Sequence, residues 1–262
     1  MVLSPEGEVL LTCREQSQFG NRCCCNPNHS LTVDMSRGSA PEGTDVLYTA
    51  ERPGLCCAKP CLGCCACTDH CTDAMTLHSG HAQGNAGDLV APKPVIMVRQ
   101  EMAFESPFAP AIEIMGSDGK GGFLEAKHKV VGPMCFGGLV ELCCESEWKI
   151  KGKGKGSADG DGMIVKMTPD DLKGFAREAL TDADHFKLIF GPSMEADDKA
   201  ALITATLLVD YMFFEKDLGI CKPVRGAEGW SCETTLCNCY CCGATCPCSC
   251  STGNNNSSPN NN

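Results

Sequence analysis

The chain of 262 residues has few basic side chains for its size. Lysine and arginine together number 22 against 33 acidic residues, which gives a formal net charge of −11. A general binder of nucleic-acid phosphates needs a basic surplus, so nucleic acid is not expected as the main partner. The first residues, Met1–Thr12, also lack the basic start and the apolar stretch of a signal peptide. A secreted disulfide scaffold is therefore not favoured.

The sequence also lacks a pattern of side chains that suggests covalent catalysis. No partner serine or acid stands at a catalytic spacing from His70, His78, His81 or His128. An activated nucleophile needs a base within hydrogen-bond reach, and no such pairing is evident. We therefore do not expect an enzyme.

Cysteine, by contrast, is abundant: the chain has 23 cysteines, and most of them are clustered. Directly adjacent cysteines rarely bond to each other, because a disulfide needs Cβ vectors that converge. Thiolate metal binding, S-acylation and plain buried thiols remain as explanations. The clusters are Cys23–Cys25, seven cysteines from Cys56 to Cys71, Cys135 with Cys143 and Cys144, and eight from Cys232 to Cys250.

The apolar fraction of 43 % is sufficient for a substantial core, and the first 165 or so residues predict short strands separated by turns. Many short strands at fairly regular spacing are typical of an antiparallel sandwich or barrel. The predicted strands are Ser30–Met35, Thr44–Thr49, Val95–Gln100, Ala111–Met115 and Val140–Cys144.

Two helices are predicted after the strands. Thr168-Pro169-Asp170-Asp171 is a helix start with a capping hydroxyl, an N1 proline and acids in the first turn. Apolar residues at helical spacing follow up to Leu180, and they form the apolar face of an amphipathic helix. The second helix is predicted from Ala196 to about Glu215, and its stretch Ala200–Phe214 is apolar on nearly every side.

This apolar stretch is short for a membrane span. At about 1.5 Å per residue its length is about 22 Å, against about 30 Å for a hydrocarbon core. Asp210 lies within it and would cost about 2.5–3.5 kcal/mol near the bilayer centre. A helix buried in the protein core is favoured over a spanning helix.

Residues 1–217 are predicted to form one domain, and residues 218–262 a separate tail. The tail is rich in cysteine, has low complexity and ends in an Asn/Ser-rich segment.

Five motifs in order resemble the phospholipid scramblase family. Phe175–Phe186 (FAREALTDADHF) and Leu207–Glu215 (LLVDYMFFE) resemble its signature at the expected separation. Earlier motifs are Asn21–Val33, Glu51-Arg52-Pro53 with the cysteine cluster after it, and Gly132-Pro133 with Cys135, Cys143 and Cys144.

The resemblance implies a mainly β fold, a tubby-like antiparallel β-barrel around a hydrophobic C-terminal helix, with one amphipathic helix besides. Relative to the family the chain starts late, so either the barrel lacks its first strands or the sequence is a piece of a longer protein. Leu207, Asp210, Phe213 and Phe214 belong to the helix that fills the barrel or crosses the membrane.

The implied function is Ca²⁺-activated, ATP-independent, bidirectional movement of membrane phospholipids between leaflets. The implied location is the cytoplasmic face of the plasma membrane. No protein partner is identified. A tubby-like lipid-binding adaptor that is acylated but moves no lipid is the alternative.

The resemblance also implies palmitate thioesters at Cys61, Cys64, Cys65 and Cys67. Several closely spaced acyl chains make membrane attachment durable. The same cluster could instead bind zinc or remain an unmodified loop, since tetrahedral Zn²⁺ takes four such ligands. For the tail cysteines, soft-metal binding and a second acylation patch are both left as explanations.

A Ca²⁺ site is implied in the twelve residues that begin at Asp182. Asp182, Asp184 and Ser193 stand at the first, third and twelfth positions of an EF-hand-like loop. Phenylalanines stand at the fifth and ninth positions, and a lysine replaces the turn glycine. The alternation of Phe186, Leu188 and Phe190 favours a strand that enters the core, so we expect weak Ca²⁺ binding at most.

Overall fold

A computed structural model of the chain describes most of its length. The described residues are 1–16, 30–41, 43–54, 71–80, 93–142, 144–152, 162–168, 185–192, 194–214, 221–226 and 229–252.

One large antiparallel sheet dominates the fold. Its strands are β1 (Val2–Leu3), β2 (Val9–Gln16), β3 (Leu31–Arg37), β4 (Val46–Arg52), β5 (Ala74–Ser79), β6 (Pro94–Gln100), β7 (Ala111–Ser117), β8 (Phe123–Val131), β10 (Ser146–Gly152), β11 (Gly162–Lys166) and β12 (Phe186–Phe190). These eleven strands are hydrogen bonded in that order, so that neighbours in the chain are mostly neighbours in the sheet.

Helix α1 spans Ala196–Val209 and continues as a π-helical turn, Asp210–Phe214. Its residues Ala201, Leu202, Ala205 and Leu208 are fully buried. The prediction of a buried helix is confirmed. Within the part of the chain that the structure describes, no helix combines the length and the apolar character that a membrane crossing requires.

The sheet curves around this helix. The helix packs against the central strands β5, β6 and β7 and against the edge strand β12, and its side chains also reach β2 and β4. One helix can contact strands from both halves of an eleven-stranded sheet only if the sheet bends around it. The mainly β class is confirmed, and among the described strands β1 and β12 form the two unpaired edges, so that the barrel is not closed.

Four of the five predicted strands are confirmed, as β3, β4, β6 and β7. The fifth, Val140–Cys144, is wrong: Gly138–Leu142 is a 3₁₀ helix. Gly137 and Gly138 have positive φ angles of 72° and 63°, which turn the chain out of the extended conformation. The amide of Cys144 then donates to the carbonyl of Val140 at 2.9 Å, a helix-like contact.

A second, smaller sheet contains part of the cysteine-rich tail. Strands β13 (Cys221–Gly226), β14 (Gly229–Cys241) and β15 (Ala244–Thr252) form antiparallel pairs. A short strand β9 (Cys135–Phe136) pairs with β14 and connects this sheet to the rest of the molecule. The sequence patterns did not predict these strands, and the first predicted helix, from Thr168 to Leu180, lies mostly outside the described residues.

Gly132 is predicted to tolerate no side chain. A Cβ atom at this position would lie 2.5 Å from Cζ3 and 2.6 Å from Cε3 of the fully buried Trp148 ring. Because the ring is enclosed, Gly132→Ala should destabilise the fold by about 1–3 kcal/mol, the usual cost of overpacking. Urea unfolding followed by tryptophan fluorescence measures this change. Gly116→Ala is the matched control, since a Cβ atom there would meet no described atom within 4 Å; equal stability of the two variants would contradict the packing argument.

Truncation of a helix side chain tests whether α1 forms the core. Leu208 is fully buried, so Leu208→Ala should lower the free energy of unfolding by about 2–5 kcal/mol. Leu124 on β8 is 57 % exposed, and Leu124→Ala should change stability far less. The same urea titration compares the two variants. A small effect at Leu208 would mean that the helix does not pack in the sheet.

Candidate functional site

The centre of the molecule is an apolar helix enclosed by strands. Thr204 and Thr206 are buried on α1, and their hydroxyls donate to the carbonyls of Ala200 and Leu202 at 2.9 Å. These polar side chains therefore bond within the helix and need no partner on the sheet. This explains how a helix with two buried threonines can have an apolar environment on every side.

An aromatic cluster surrounds the C-terminal end of this helix. Phe213 lies 5.2 Å from Phe136 and 5.2 Å from Trp148 between ring centroids, and 6.3 Å from Tyr240. Phe214 packs against Phe136 at 5.7 Å. Such edge-to-face and tilted contacts add to the stabilisation from burial. Of the residues predicted for the membrane or core helix, Phe213 and Phe214 are therefore core residues, whereas Leu207 and Asp210 are half-buried.

Polar contacts attach the N-terminal turn of α1 to the sheet. The hydroxyl of Tyr48 donates to Asp197 at 2.5 Å, and Lys127 donates to Asp198 at 2.8 Å. Desolvation and the nearby Asp197 carboxylate raise the pKa of Tyr48 to about 12. Acids in a first turn also interact favourably with the helix dipole. Both carboxylates therefore already have partners within the protein.

The Glu51-Arg52-Pro53 motif holds the other end of the helix. Arg52 and Asp73 form a buried ion pair at 3.0 Å, with each side chain 2 % exposed. The guanidinium of Arg52 also lies 5.7 Å from the ring centroid of Tyr211, whose hydroxyl donates to Glu15 at 2.9 Å. The structure thus brings together Arg52 and the Leu207–Glu215 motif, two segments that the sequence analysis singled out separately.

A cation also contacts the aromatic end of the helix. The ammonium of Lys166 on β11 lies 4.1 Å from the ring centroid of Phe214. Lys166 is itself buried. A cation over an aromatic face is more strongly attracted when both groups are shielded from water.

Three carboxylates meet near the start of β7. One oxygen each of Glu101, Glu105 and Glu113 lies within 4.8 Å of the others. Lys129 donates to Glu101 at 2.6 Å, and Arg99 donates to Glu113 at 3.2 Å. The protein's own cations therefore balance much of this charge, and the cluster is a structural network.

Most of the predicted lipid and metal sites lie outside the described residues. This applies to Cys61, Cys64, Cys65 and Cys67 and to Asp182, Asp184 and Ser193. Between these acids and the serine, Phe186–Phe190 forms β12, with alternating half-buried and exposed residues. The prediction of a strand at this point is confirmed.

A group of thiols lies between β9, β14 and β15. The sequence patterns did not predict that these thiols lie together. The Sγ atom of Cys239 lies 3.0 Å from that of Cys135, 3.9 Å from that of Cys237 and 3.6 Å from that of Cys248. Desolvation, together with hydrogen bonds and charge repulsion from Cys239 and Cys248, raises the pKa of Cys237 to about 12. The sequence analysis did not predict a strand here, although the period-two spacing of Cys237, Cys239 and Cys241 is typical of one.

Comparison with known proteins identifies related sequences. Residues 122–216 match the Scramblase family model, a segment that runs from β8 to the π-helical turn and two residues beyond. No solved structure matches the chain.

Curated relatives extend the similarity beyond this segment. Phospholipid scramblase 1 of Mus musculus is 28 % identical over 205 residues, which cover 77 % of this chain and 50 % of that protein. Phospholipid scramblase 1 of Homo sapiens is 26 % identical over 210 residues, 80 % of this chain and 54 % of that protein. A shorter match, to phospholipid scramblase 2 of Homo sapiens, is 51 % identical over 54 residues, 21 % of this chain and 18 % of that protein.

The chain spans about half the length of the curated relatives that it matches over most of its own sequence. The segment matched by the family model contains α1, strands β8 to β12, and Phe136, Trp148, Phe213 and Phe214 of the aromatic cluster. The chain is therefore similar to the scramblase family, by the family model over residues 122–216 and by the curated relatives over most of its length.

Proposed function

We propose that the chain moves phospholipids in both directions between the leaflets of a membrane, without ATP and under the control of Ca²⁺. The observation that carries this proposal is the family match over residues 122–216, which includes the enclosed helix and strands β8 to β12. Movement of a lipid makes and breaks no covalent bond. The proposed function is therefore transport, and the substrate is the phospholipid itself.

The proposed location is the cytoplasmic face of the plasma membrane, with attachment by palmitate thioesters at Cys61, Cys64, Cys65 and Cys67. The net charge of −11 supports a covalent anchor, because an anionic leaflet repels an acidic protein. One acyl chain gives only marginal binding, whereas several closely spaced chains give durable attachment.

The proposed Ca²⁺ ligands are Asp182, Asp184 and Ser193. Ca²⁺ usually takes six to eight oxygen ligands, so two carboxylates and a hydroxyl imply weak, millimolar-type binding. Asp197 and Asp198 nearby in sequence are engaged by Tyr48 and Lys127. Glu195, which is exposed, is the better candidate for an additional carboxylate.

A reconstituted transport measurement tests the function. The full chain in proteoliposomes should expose an inner-leaflet fluorescent phospholipid to an external quencher faster than protein-free vesicles do, and millimolar Ca²⁺ should increase the rate. Asp182→Asn with Asp184→Asn should raise the Ca²⁺ concentration for half-activation by about tenfold or more, because two of the few charged ligands are lost.

The matched control replaces two acids that are exposed and far from the loop in sequence, Glu6→Gln with Asp45→Asn. Asp45 has a φ of 51°, which asparagine also adopts readily. This control should keep the Ca²⁺ response of the original chain. Leaflet exchange equal to that of empty vesicles, with and without Ca²⁺, would refute lipid transport.

Membrane attachment is tested separately from transport. Replacement of Cys61, Cys64, Cys65 and Cys67 by serine should move most of the protein from the membrane fraction to the soluble fraction, because acyl attachment is lost. The control replaces four tail cysteines that the structure describes as exposed. They are Cys241, Cys242, Cys246 and Cys250.

The control should leave the protein in the membrane fraction, as measured by fractionation and by acyl–biotin exchange. Release by the control but not by the loop variant would mean that the tail carries the anchor. Unchanged attachment of the loop variant would remove this loop as the anchor.

One observation favours a second candidate, an acylated lipid-binding adaptor without transport activity. Strand β12 puts the half-buried Phe186 and Phe190 where a Ca²⁺ loop has ligands, and Phe186 packs 5.8 Å from the Phe214 ring. Ca²⁺ control would then be absent. An attached protein that binds vesicles but gives no leaflet exchange supports this candidate.

A further inference from the structure

The thiol group between β9, β14 and β15 is the strongest unassigned feature of the described residues. It contains Cys135, Cys237, Cys239 and Cys248, and all four carry free thiols. Three of these cysteines follow the segment that matches the family, which ends at residue 216. Cys135 lies within it, and the proposed lipid transport uses none of the four thiols.

Strand register brings these cysteines to one face of the small sheet. Cys239 is paired with Cys135 on one side and with Cys246 on the other, and Cys237 is paired with Cys248. Directly paired residues in antiparallel strands have side chains on the same face, as do alternate residues along one strand. The backbone therefore places all four thiols on one face, where Cys135, Cys237 and Cys239 lie together and the exposed Cys248 joins them through Cys239.

The opposite face of the same strands is anchored in the core. Tyr240 and Phe136 are buried in the aromatic cluster, and Asn238 is buried beside them. The amide of Tyr240 donates to the carbonyl of Met134 at 2.8 Å, and that of Cys242 to Pro107 at 2.7 Å. These contacts fix the positions of β9 and β14, so the thiols of Cys135, Cys237 and Cys239 are held together before any ligand binds.

We propose that Cys135, Cys237, Cys239 and Cys248 bind one Zn²⁺ ion as a tetrathiolate site that joins the tail hairpin to β9. Structural Zn²⁺ is tetrahedral with Zn–S bonds of about 2.3 Å, which requires sulfurs about 3.8 Å apart. The distances from Cys239 to the other three sulfurs are 3.0, 3.9 and 3.6 Å. The sulfurs of Cys135, Cys237 and Cys239 all lie within 4.8 Å of one another.

A disulfide explains less of this arrangement. A Cys135–Cys239 bond would use only two of the four sulfurs and leave Cys237 and Cys248 without a role. A metal ion uses all four and neutralises part of the charge that accumulates when the thiols ionise. Binding then releases protons from the ligands, so the affinity for Zn²⁺ should rise with pH.

Metal titration of the reduced full chain tests the proposal, with Co²⁺ as a spectroscopic probe for Zn²⁺. The original chain should bind one Co²⁺ with tetrahedral ligand-field bands and sulfur-to-cobalt charge-transfer absorption that Zn²⁺ then displaces. Cys135→Ser with Cys239→Ser should weaken binding at this site by more than about 100-fold, since loss of even an outer-shell partner costs 10–100-fold. Cys250→Ser, on the exposed end of β15, is the matched control and should keep the site.

Alkylation and mass spectrometry identify the ligands directly, because the other cysteines of the chain could also bind metal. Zn²⁺ should protect Cys135, Cys237, Cys239 and Cys248 from alkylation and leave Cys250 reactive. Tryptophan fluorescence in urea confirms that each variant is folded. Equal Co²⁺ spectra for the original chain and the Cys135/Cys239 variant, or a Cys135–Cys239 disulfide with no Zn²⁺ protection after reduction, would overturn the proposal.

Discussion

The fold depends on the need to cover a helix that is apolar on all sides. The residues from Ala200 to Val209 are buried except for the half-buried Leu207, so no face of α1 can be left to water. A flat sheet covers one face of a helix, whereas a long curved sheet covers several. The antiparallel strands provide that cover. Each strand pairs beside the one before it and is rotated slightly relative to it, so the sheet turns gradually around the helix. The enclosed helix therefore determines the curvature of the sheet.

Polar groups stabilise the two ends of this helix in different ways. At its start, the exposed Asp197 accepts a hydrogen bond from Tyr48, and the buried Asp198 pairs with Lys127. At its other end both charges of an ion pair are buried: Arg52 pairs with Asp73, and its guanidinium lies over the Tyr211 ring. A buried ion pair gains little net stability, since desolvation offsets most of the attraction. Its consequence is that loss of either residue would remove an ion-pair partner from a charge buried in the core.

Residue patterns in the sequence predicted the strands and the helix that depend on interactions between near neighbours in the chain. The alternation in Phe186–Phe190 was enough to identify β12, and the apolar run identified α1. Val140–Cys144 is rich in strand-forming residues, yet Gly138 approaches the carbonyls of β14 so closely that a Cβ would lie 2.7 Å from the oxygen of Thr235. That contact joins segments far apart in sequence, and no local pattern encodes it. The same holds for the thiol group, whose register depends on how β14 docks against β9.

Strand β9 connects the aromatic cluster at the end of α1 with the thiol group of the small sheet, although the strand is only two residues long. Phe136 packs among the aromatic rings at the end of α1, whereas Cys135 belongs to the opposite face with the thiols of β14. Tyr240 lies on the core side of β14 and contacts Phe213. A metal ion bound to the thiols would therefore hold in place the strand that completes the aromatic cluster. Because binding energy at such a site is also folding energy, the tail would stabilise the enclosed helix without any direct contact between metal and helix.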